Sequence, residues 1–233
     1  MNQSFPAKEI IVVNDGSEEE ERDALYALQK TYNFTIIDKE NGGQGSARNS
    51  GVRSSTSDFI CFLDQDDFCI DKHIEILVNA MPPDDSRFGY AFGDCMEADG
   101  YRNILFTSMV KRYSSHLKAD IFNLIGNDMF VLPSATLVSK KAFMDIGGFD
   151  EQFTDYEDDD LFMRLFRSGY SSYFVDTPVY VWCINYNSTS YSIKMSRSRF
   201  RYFKKLCSNF EDDYVPGRFY FRDLELIPKG VIV

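Results

Sequence analysis

Phe62-Leu63-Asp64-Gln65-Asp66-Asp67 is the stretch on which the fold of this chain turns. An apolar run, Phe59, Ile60, Phe62 and Leu63, ends abruptly in the carboxylates of Asp64, Asp66 and Asp67. A strand buried on both faces reads this way where it emerges at the carboxyl edge of a parallel sheet, and open α/β sheets bind ligands at that edge. Carboxylates so close together repel one another unless a cation lies between them. Hard oxygen ligands on a short loop suit Mg2+ or Mn2+, ions that commonly join protein carboxylates to the phosphates of a substrate. The stretch therefore implies a metal-dependent enzyme acting on a nucleotide or a phosphate ester.

Outward from this strand, strand-like and helix-like segments alternate. Upstream, Glu9 to Val13 reads as a strand and Asn14-Asp15-Gly16-Ser17 as the turn after it. Ser17 is placed to cap a helix with an acidic first turn, Glu18 to Glu21, and Leu25, Leu28 and Tyr32 recur at helical spacing. Phe34 to Ile37 gives a second strand, followed by a glycine-rich turn, Asn41 to Gly45, and a short helix carrying Ala47, Arg48 and Val52. Downstream of Asp64, Ile74, Leu77, Val78 and Met81 mark a helix that Pro82-Pro83 stops. This βαβαβα order predicts an α/β fold with a mostly parallel central sheet and helices on its faces.

The second half is less regular. Phe88 to Gly93 and Tyr101 to Phe106 read as a strand pair around an Ala-Asp-Gly turn, and residues 107–134 carry little signal. Ala135 to Val138 reads as a strand, and Lys140 to Ile146 as a short helix ended by Gly147-Gly148. A second acidic cluster, Asp150, Glu151, Asp155 and Glu157 to Asp160, precedes a helical stripe of Leu161, Phe162, Leu165 and Phe166, with Gly169 as its stop. Two late strands are expected, at Tyr173 to Val175 and Val179 to Ile184.

The 233 residues suffice for one large domain, or one domain with an appendage, and 44% hydrophobic residues imply a substantial core. A net charge of −11 argues against a nucleic-acid binder, whose footprint is basic. It also means that an anionic substrate needs a local cation or local Arg and Lys groups. The five cysteines have neither CxxC spacing nor an even count, so they read as small hydrophobes in a reducing compartment. His73 and His116 are too few for a histidine-rich zinc site. With no apolar run long enough to cross a bilayer and no secretory pattern, a cytoplasmic location is expected.

Taken singly, each cluster has a bland reading. Glu157 to Asp160 suits any helix start, Asn-Asp-Gly-Ser is ordinary turn chemistry, and Gly42, Gly43 and Gly45 form no dinucleotide fingerprint. Their order and spacing are more specific. Ile10 to Ser17, Asn41 to Gly51, Phe62 to Asp67, Gly147 to Glu151 and Tyr156 to Leu161 together resemble the motifs of a family 2 glycosyltransferase of the GT-A fold, over roughly residues 8–190. The resemblance implies a Rossmann-like catalytic domain over 1–190, with 191–233 as a helical, basic extension packed on it.

The resemblance also implies roles. Asp15 would accept a hydrogen bond from the nucleotide base, usually uracil, and Arg48 would lie beside base and pyrophosphate. Asp64 and Asp66 match the family's DXD pair, Asp64 towards ribose and metal, Asp66 on the metal, with Gln65 between them on the donor side. Asp158 would be the general base, with Glu157 and Asp159 as near competitors and Asp160 and Asp67 as capping or supporting groups. The implied enzyme moves a sugar from a nucleotide sugar, a UDP-sugar, to a hydroxyl of a glycan or lipid-linked saccharide in polysaccharide biosynthesis, using Mn2+ or Mg2+. The chemistry is coherent on its own terms. A divalent ion stabilises charge on the departing diphosphate, one carboxylate takes the acceptor proton, and one base with one metal implies in-line displacement with inversion. The paired carboxylates of glycosidases are a different template.

Two departures stand out. Asn185-Tyr186-Asn187-Ser188-Thr189-Ser190 lies where many relatives carry a metal-binding histidine. The chain also starts at what resembles the end of the helix after the family's first strand, so that a central strand is expected to be missing and nucleotide binding weakened. Lys194 to Lys205 carries six basic residues with Phe200, Tyr202 and Phe203 among them. It reads as a solvated helix packed by its aromatics on the domain, or as an interfacial helix meeting anionic lipid at the inner face of a membrane. Two rival functions remain: a weak pseudo-glycosyltransferase that binds a nucleotide or a partner, and an aspartate-nucleophile phosphohydrolase. Phe68, where the latter's motif calls for Thr or Val, argues against it.

Overall fold

A computed structural model describes residues 2–117, 130–184 and 193–208. Its first unit is βαβ. The β-branched strands β1 (Ile11–Asp15) and β2 (Thr35–Lys39) pair in parallel, Val12 opposite Ile36, with helix α1 (Glu19–Gln29) between them. The helix cap is Glu18, not Ser17. The Glu18 amide donates to the Glu21 carboxylate at 3.0 Å, and Ser17 donates its own amide to Asn14 Oδ1. Leu28 and Tyr32, expected on a packed face, are exposed, so the acidic first turn rather than burial favours α1.

Helix α2 (Gln44–Ser54) leads to β3 (Phe59–Cys61), the strand read from the opening motif. Only these three residues pair, and Phe62 to Asp64 continue past the ladder. There follow β4 (Phe68–Cys69), α3 (His73–Asn79), β5 (Phe88–Ala98), β6 (Ile104–Phe106) and the single turn α4 (Val110–Tyr113). After a 3-10 turn at Pro133–Ala135 come β7 (Thr136–Ser139), α5 (Lys140–Asp145), α6 (Glu157–Arg167), β8 (Ser171–Cys183) and α7 (Ile193–Ser208).

The larger sheet has the order β3-β7-β5-β8-β4, with β6 also on β5. Its pairing is mixed. The two longest ladders of the molecule, β1–β2 and β5–β8, are parallel as expected, whereas β3–β7, β5–β7, β5–β6 and β4–β8 are short and antiparallel. The two late strands are one. β8 follows β5 along its whole length, and between Val175 and Pro178 its register against Gly93 and Asp94 shifts, so that Asp176 and Thr177 bulge out. The polar Asp-Thr-Pro step that reads as a break in the sequence is this bulge, and Pro178 has no amide to give to a ladder.

Among the described residues no ladder joins β1 to β3. Helix α2 crosses from the end of β2 to the start of β3, and its Gly51 lies against Val13 of β1. The entries of β1 and β3 are tied by one carboxylate. Glu9 Oε1 accepts from Ser55 Oγ at 2.7 Å, the Thr56 amide at 2.8 Å and Ser57 Oγ at 2.6 Å.

The core lies between the larger sheet and the helices α3, α5 and α6. The α6 stripe buries Leu161, Phe162, Met163 and Leu165, with the Phe162 ring 4.8 Å from that of Tyr90 in β5. Each such side chain contributes about 1.5–3 kcal/mol on burial. The four described cysteines, Cys61, Cys69, Cys95 and Cys183, are free thiols on strands. Among the described residues no helix is long and apolar enough to cross a membrane. The Asn185 to Ser190 stretch and residues 118–129 and 209–233 lie outside the described residues.

Candidate active site

Helix α2 organises the site. At its start the glycine-rich turn wraps the end of β1: Gly42 and Gly43 donate their amides to the two Asp15 oxygens at 3.0 and 2.8 Å, and Lys39 Nζ donates to Oδ1 at 2.5 Å. Burial pushes the Asp15 carboxyl up, but the Lys39 ammonium and the two amides outweigh it and hold it below the ordinary aspartate value. Asp15 thus shapes the turn where the nucleotide base was expected.

One turn along α2, Arg48 reaches in two directions. Its Nη2 donates to Asp64 Oδ1 at 2.7 Å, beyond the end of β3, and its Nη1 to Glu157 Oε1 at 2.6 Å, at the start of α6. Burial disfavours its charge, yet Asp64, Glu157 and Asp158 together overcome that and keep it firmly ionised. Asp158 therefore lies within electrostatic reach of the same guanidinium. The expected contact of Arg48 with base and pyrophosphate has to share a side chain already engaged at both ends.

The next residue fixes the loop before α6. Asn49 Oδ1 accepts the Phe149 amide at 2.9 Å, and its Nδ2 donates to the Phe149 carbonyl and to Glu151, each at 2.9 Å. Two glycines permit this. Gly148 has φ +73°, and a Cβ there would lie 2.6 Å from Asn49 Oδ1; a Cβ on Gly45 would lie 3.3 Å from Phe149 Cβ and 3.7 Å from Glu157 Cγ. Tyr156, the residue before α6, is left-handed at φ 68°, an uncommon state for an aromatic residue, and its ring packs 5.6 Å from Tyr202 of α7.

The carboxylates that open α6 separate by environment. Glu157 is 3% exposed and bound to Arg48; Asp160 is equally buried and bound to Arg164 at 2.7 Å and Lys205 at 2.6 Å. Asp158 and Asp159 are only half-buried. Of the four, the outer two are buried on cations and the middle pair are partly exposed.

On the opposite side, the turn after β3 closes with the Asp67 amide on the Asp64 carbonyl at 3.2 Å, while the Asp64 amide donates to Ser134 Oγ. Asp67 points inwards and accepts the Cys183 amide at 2.8 Å. Burial first, then the neighbouring charges of Asp64 and Asp66, push its carboxyl up to about 7. Gln65 and Asp66 are exposed. Among the described residues no three His, Cys, Asp or Glu groups close on a common point. An ion of the Mg2+ type takes one or two carboxylates from a protein and its other ligands from substrate phosphates and water. Asp64 and the exposed Asp66 are the carboxylates that this turn offers.

The structure thus holds Asp64 and Glu157 on the Arg48 guanidinium with Asp158 within its electrostatic reach, and seats Asp15 at the start of the same helix. Sequence reading missed the partners: Lys39 for Asp15, Glu157 for Arg48, Asn49 for Phe149, Lys205 for Asp160. Asn49 lay inside a quoted motif, and the other pairs join residues with no sequence pattern in common.

The model of the family described as glycosyl transferase family 2 matches residues 1–147. An uncharacterized glycosyltransferase of Rickettsia prowazekii (strain Madrid E) is 30% identical over 167 residues, covering 71% of this chain and 51% of that protein. The chain spans 27% of a second such relative, from Rickettsia felis, at 29% identity. A poly-beta-1,6-N-acetyl-D-glucosamine synthase of Staphylococcus epidermidis is 35% identical over 63 residues, 27% of this chain and 15% of that protein. Among solved structures, TarS 1-349 of S. aureus in complex with UDP-GlcNAc superposes with a TM-score of 0.66 at 16% identity, covering 90% of this chain and 61% of that one. The mannosyltransferase PcManGT of Pyrobaculum calidifontis, in complex with GDP-Man and Mn2+, gives 0.65 at 15% identity, with 90% and 58% covered. The fold is that of the GT-A glycosyltransferases, and the chain belongs to glycosyl transferase family 2.

Proposed function

We propose that residues 1–190 transfer a sugar from a UDP-sugar to a saccharide hydroxyl, with inversion at the anomeric carbon, and that α7 belongs to an extension packed on this catalytic domain. The observation that carries the reading is the convergence on α2 of the donor-side turn and the acidic start of α6, joined through Arg48. The UDP and UDP-GlcNAc complexes of TarS and the GDP-Man and Mn2+ complex of the mannosyltransferase support a nucleotide-sugar donor and a divalent ion.

Asp64 and Asp66 would hold Mn2+ or Mg2+, with Gln65 beside the donor. When bound there, the ion supplies positive charge for the departing diphosphate. Asp15 orders the glycine-rich turn and offers its carboxylate edge to the base. Asp158 accepts the proton of the acceptor hydroxyl as its oxygen attacks the anomeric carbon. Glu157 and Asp160 are each buried against a cation, away from an incoming acceptor.

The test is to incubate the chain with Mn2+ and a panel of UDP-sugars, with saccharide acceptors, and to measure UDP release. Release that depends on both donor and acceptor, and that vanishes in Asp158→Asn, is expected. Nucleotide binding without release for any donor would favour the partner-binding alternative.

A further inference from the structure

Arg48 and Glu157 carry an inference beyond the transfer reaction, although it rests on that reading of the site. We propose that they are positioning residues, a strut that sets the distance between the donor-side turn and the start of α6, so that occupancy of the donor site is felt at Asp158.

The guanidinium is planar and offers its two ends in a fixed fork. With Nη2 on Asp64 at 2.7 Å and Nη1 on Glu157 at 2.6 Å, the separation of the two carboxylates is set by that plane rather than by flexible chains. The Glu157 end of the fork is closely packed, while the Asp64 side chain is 40% exposed towards the donor side. The Arg48 and Glu157 side chains are 10% and 5% exposed, Gly45 brings α2 into contact with Phe149 and Glu157, and Asn49 holds the backbone at Phe149. Asp158 is the next residue after Glu157, on the first turn of the same helix. A change in how Asp64 is held therefore passes through one rigid group to the backbone that carries Asp158.

Stability alone is a weak reason for such an arrangement, because buried ion pairs are often matched or bettered by apolar side chains of similar volume. The same fact supplies the control. In Arg48→Met combined with Glu157→Met the two elements still pack, but the fork is gone.

The experiment follows amide exchange of residues 156–161 by mass spectrometry, with and without UDP and Mn2+, in the wild-type chain and in that double variant. In the wild type, UDP with Mn2+ is expected to slow exchange at the start of α6 by about 5-fold or more. In the double variant melting stays close to wild type and donor KM rises, because Arg48 also faces the donor; at saturating UDP and Mn2+ the slowing is nevertheless lost and kcat falls by about 10-fold or more. Glu157→Gln separates positioning from proton transfer: turnover falls moderately, and the acidic limb of the pH–rate profile stays, because Asp158 is intact. Slowing that persists in the double variant, or kcat that does not change, overturns the strut. Loss of turnover by about 1,000-fold in Glu157→Gln, with the acidic limb flattened, makes Glu157 the base and also overturns it. A wild-type chain that binds no UDP is a different result, and it removes the donor-site reading and the strut together.

Discussion

Four adjacent carboxylates, Glu157 to Asp160, are nearly interchangeable as letters, and burial and partners tell them apart. Glu157 faces Arg48 and Asp160 faces Arg164 and Lys205, while Asp158 and Asp159 are partly exposed, with Asp158 in the field of Arg48. Asp158→Asn is expected to lower kcat by about 100- to 10,000-fold, the range over which a positioned base acts, with UDP affinity little changed. Asp159→Asn is expected to stay near wild type in both. Initial rates and a UDP titration on each variant decide it. Asn49 is a residue of the opposite kind, structural but placed at the site. In Asn49→Ala the Phe149 amide and carbonyl lose their partner in a buried loop, which costs about 1–3 kcal/mol per unsatisfied group. A fall in Tm of about 5 °C or more is expected by scanning calorimetry. Unchanged melting would mean that the loop before α6 is held by something else.

Between elements, the least secured junction is that of β1 and β3, which share α2 but no ladder among the described residues. Glu9 is the clasp. The Ser57 hydroxyl, then Ser55 and the Thr56 amide, hold its carboxyl down at about 2, against an ordinary value of 4.5. Because the folded state lowers this pKa, the ionised group adds stability that is complete above about 4.5 and is lost as the pH falls towards 2. Glu9→Gln should therefore melt lower than wild type at neutral pH, by about 2–4 °C, and the two should converge as the pH falls through that window. Parallel melting curves across the window would show that the clasp carries no load. At the other end of the domain, α7 is attached through Lys205 to Asp150 and Asp160 and through Tyr202 to Tyr156 and Phe153. The aromatic side of the basic segment faces the domain at Tyr202, while Phe200 is exposed.

For the whole molecule, what could be read in the sequence was the order of elements and the identity of the acidic turns. Runs such as Ile11 to Val13 and the Leu161 to Leu165 stripe carry their own periodicity, and Asp64 to Asp67 announces a strand end by its charge. Strand partners were not legible in the same way. Whether β7 meets β3 and β5 antiparallel, or whether Tyr173 to Ile184 is one strand with a bulge, depends on residues far apart in the chain. The same limit applied in the site: Asp15, Arg48, Asp64 and Asp158 stand in recognisable motifs, but only the fold shows that Arg48 is shared between Asp64 and Glu157. With a net charge of −11, a diphosphate reaches this site only if the local cations outweigh the rest of the molecule. The most direct test of a donor site built on that turn is calorimetric titration of UDP into the chain with Mn2+, then with EDTA, beside Asp66→Ala. Saturable binding that needs both the metal and Asp66 is the expected result. Binding that is indifferent to EDTA and to Asp66, or no binding at all, would contradict it.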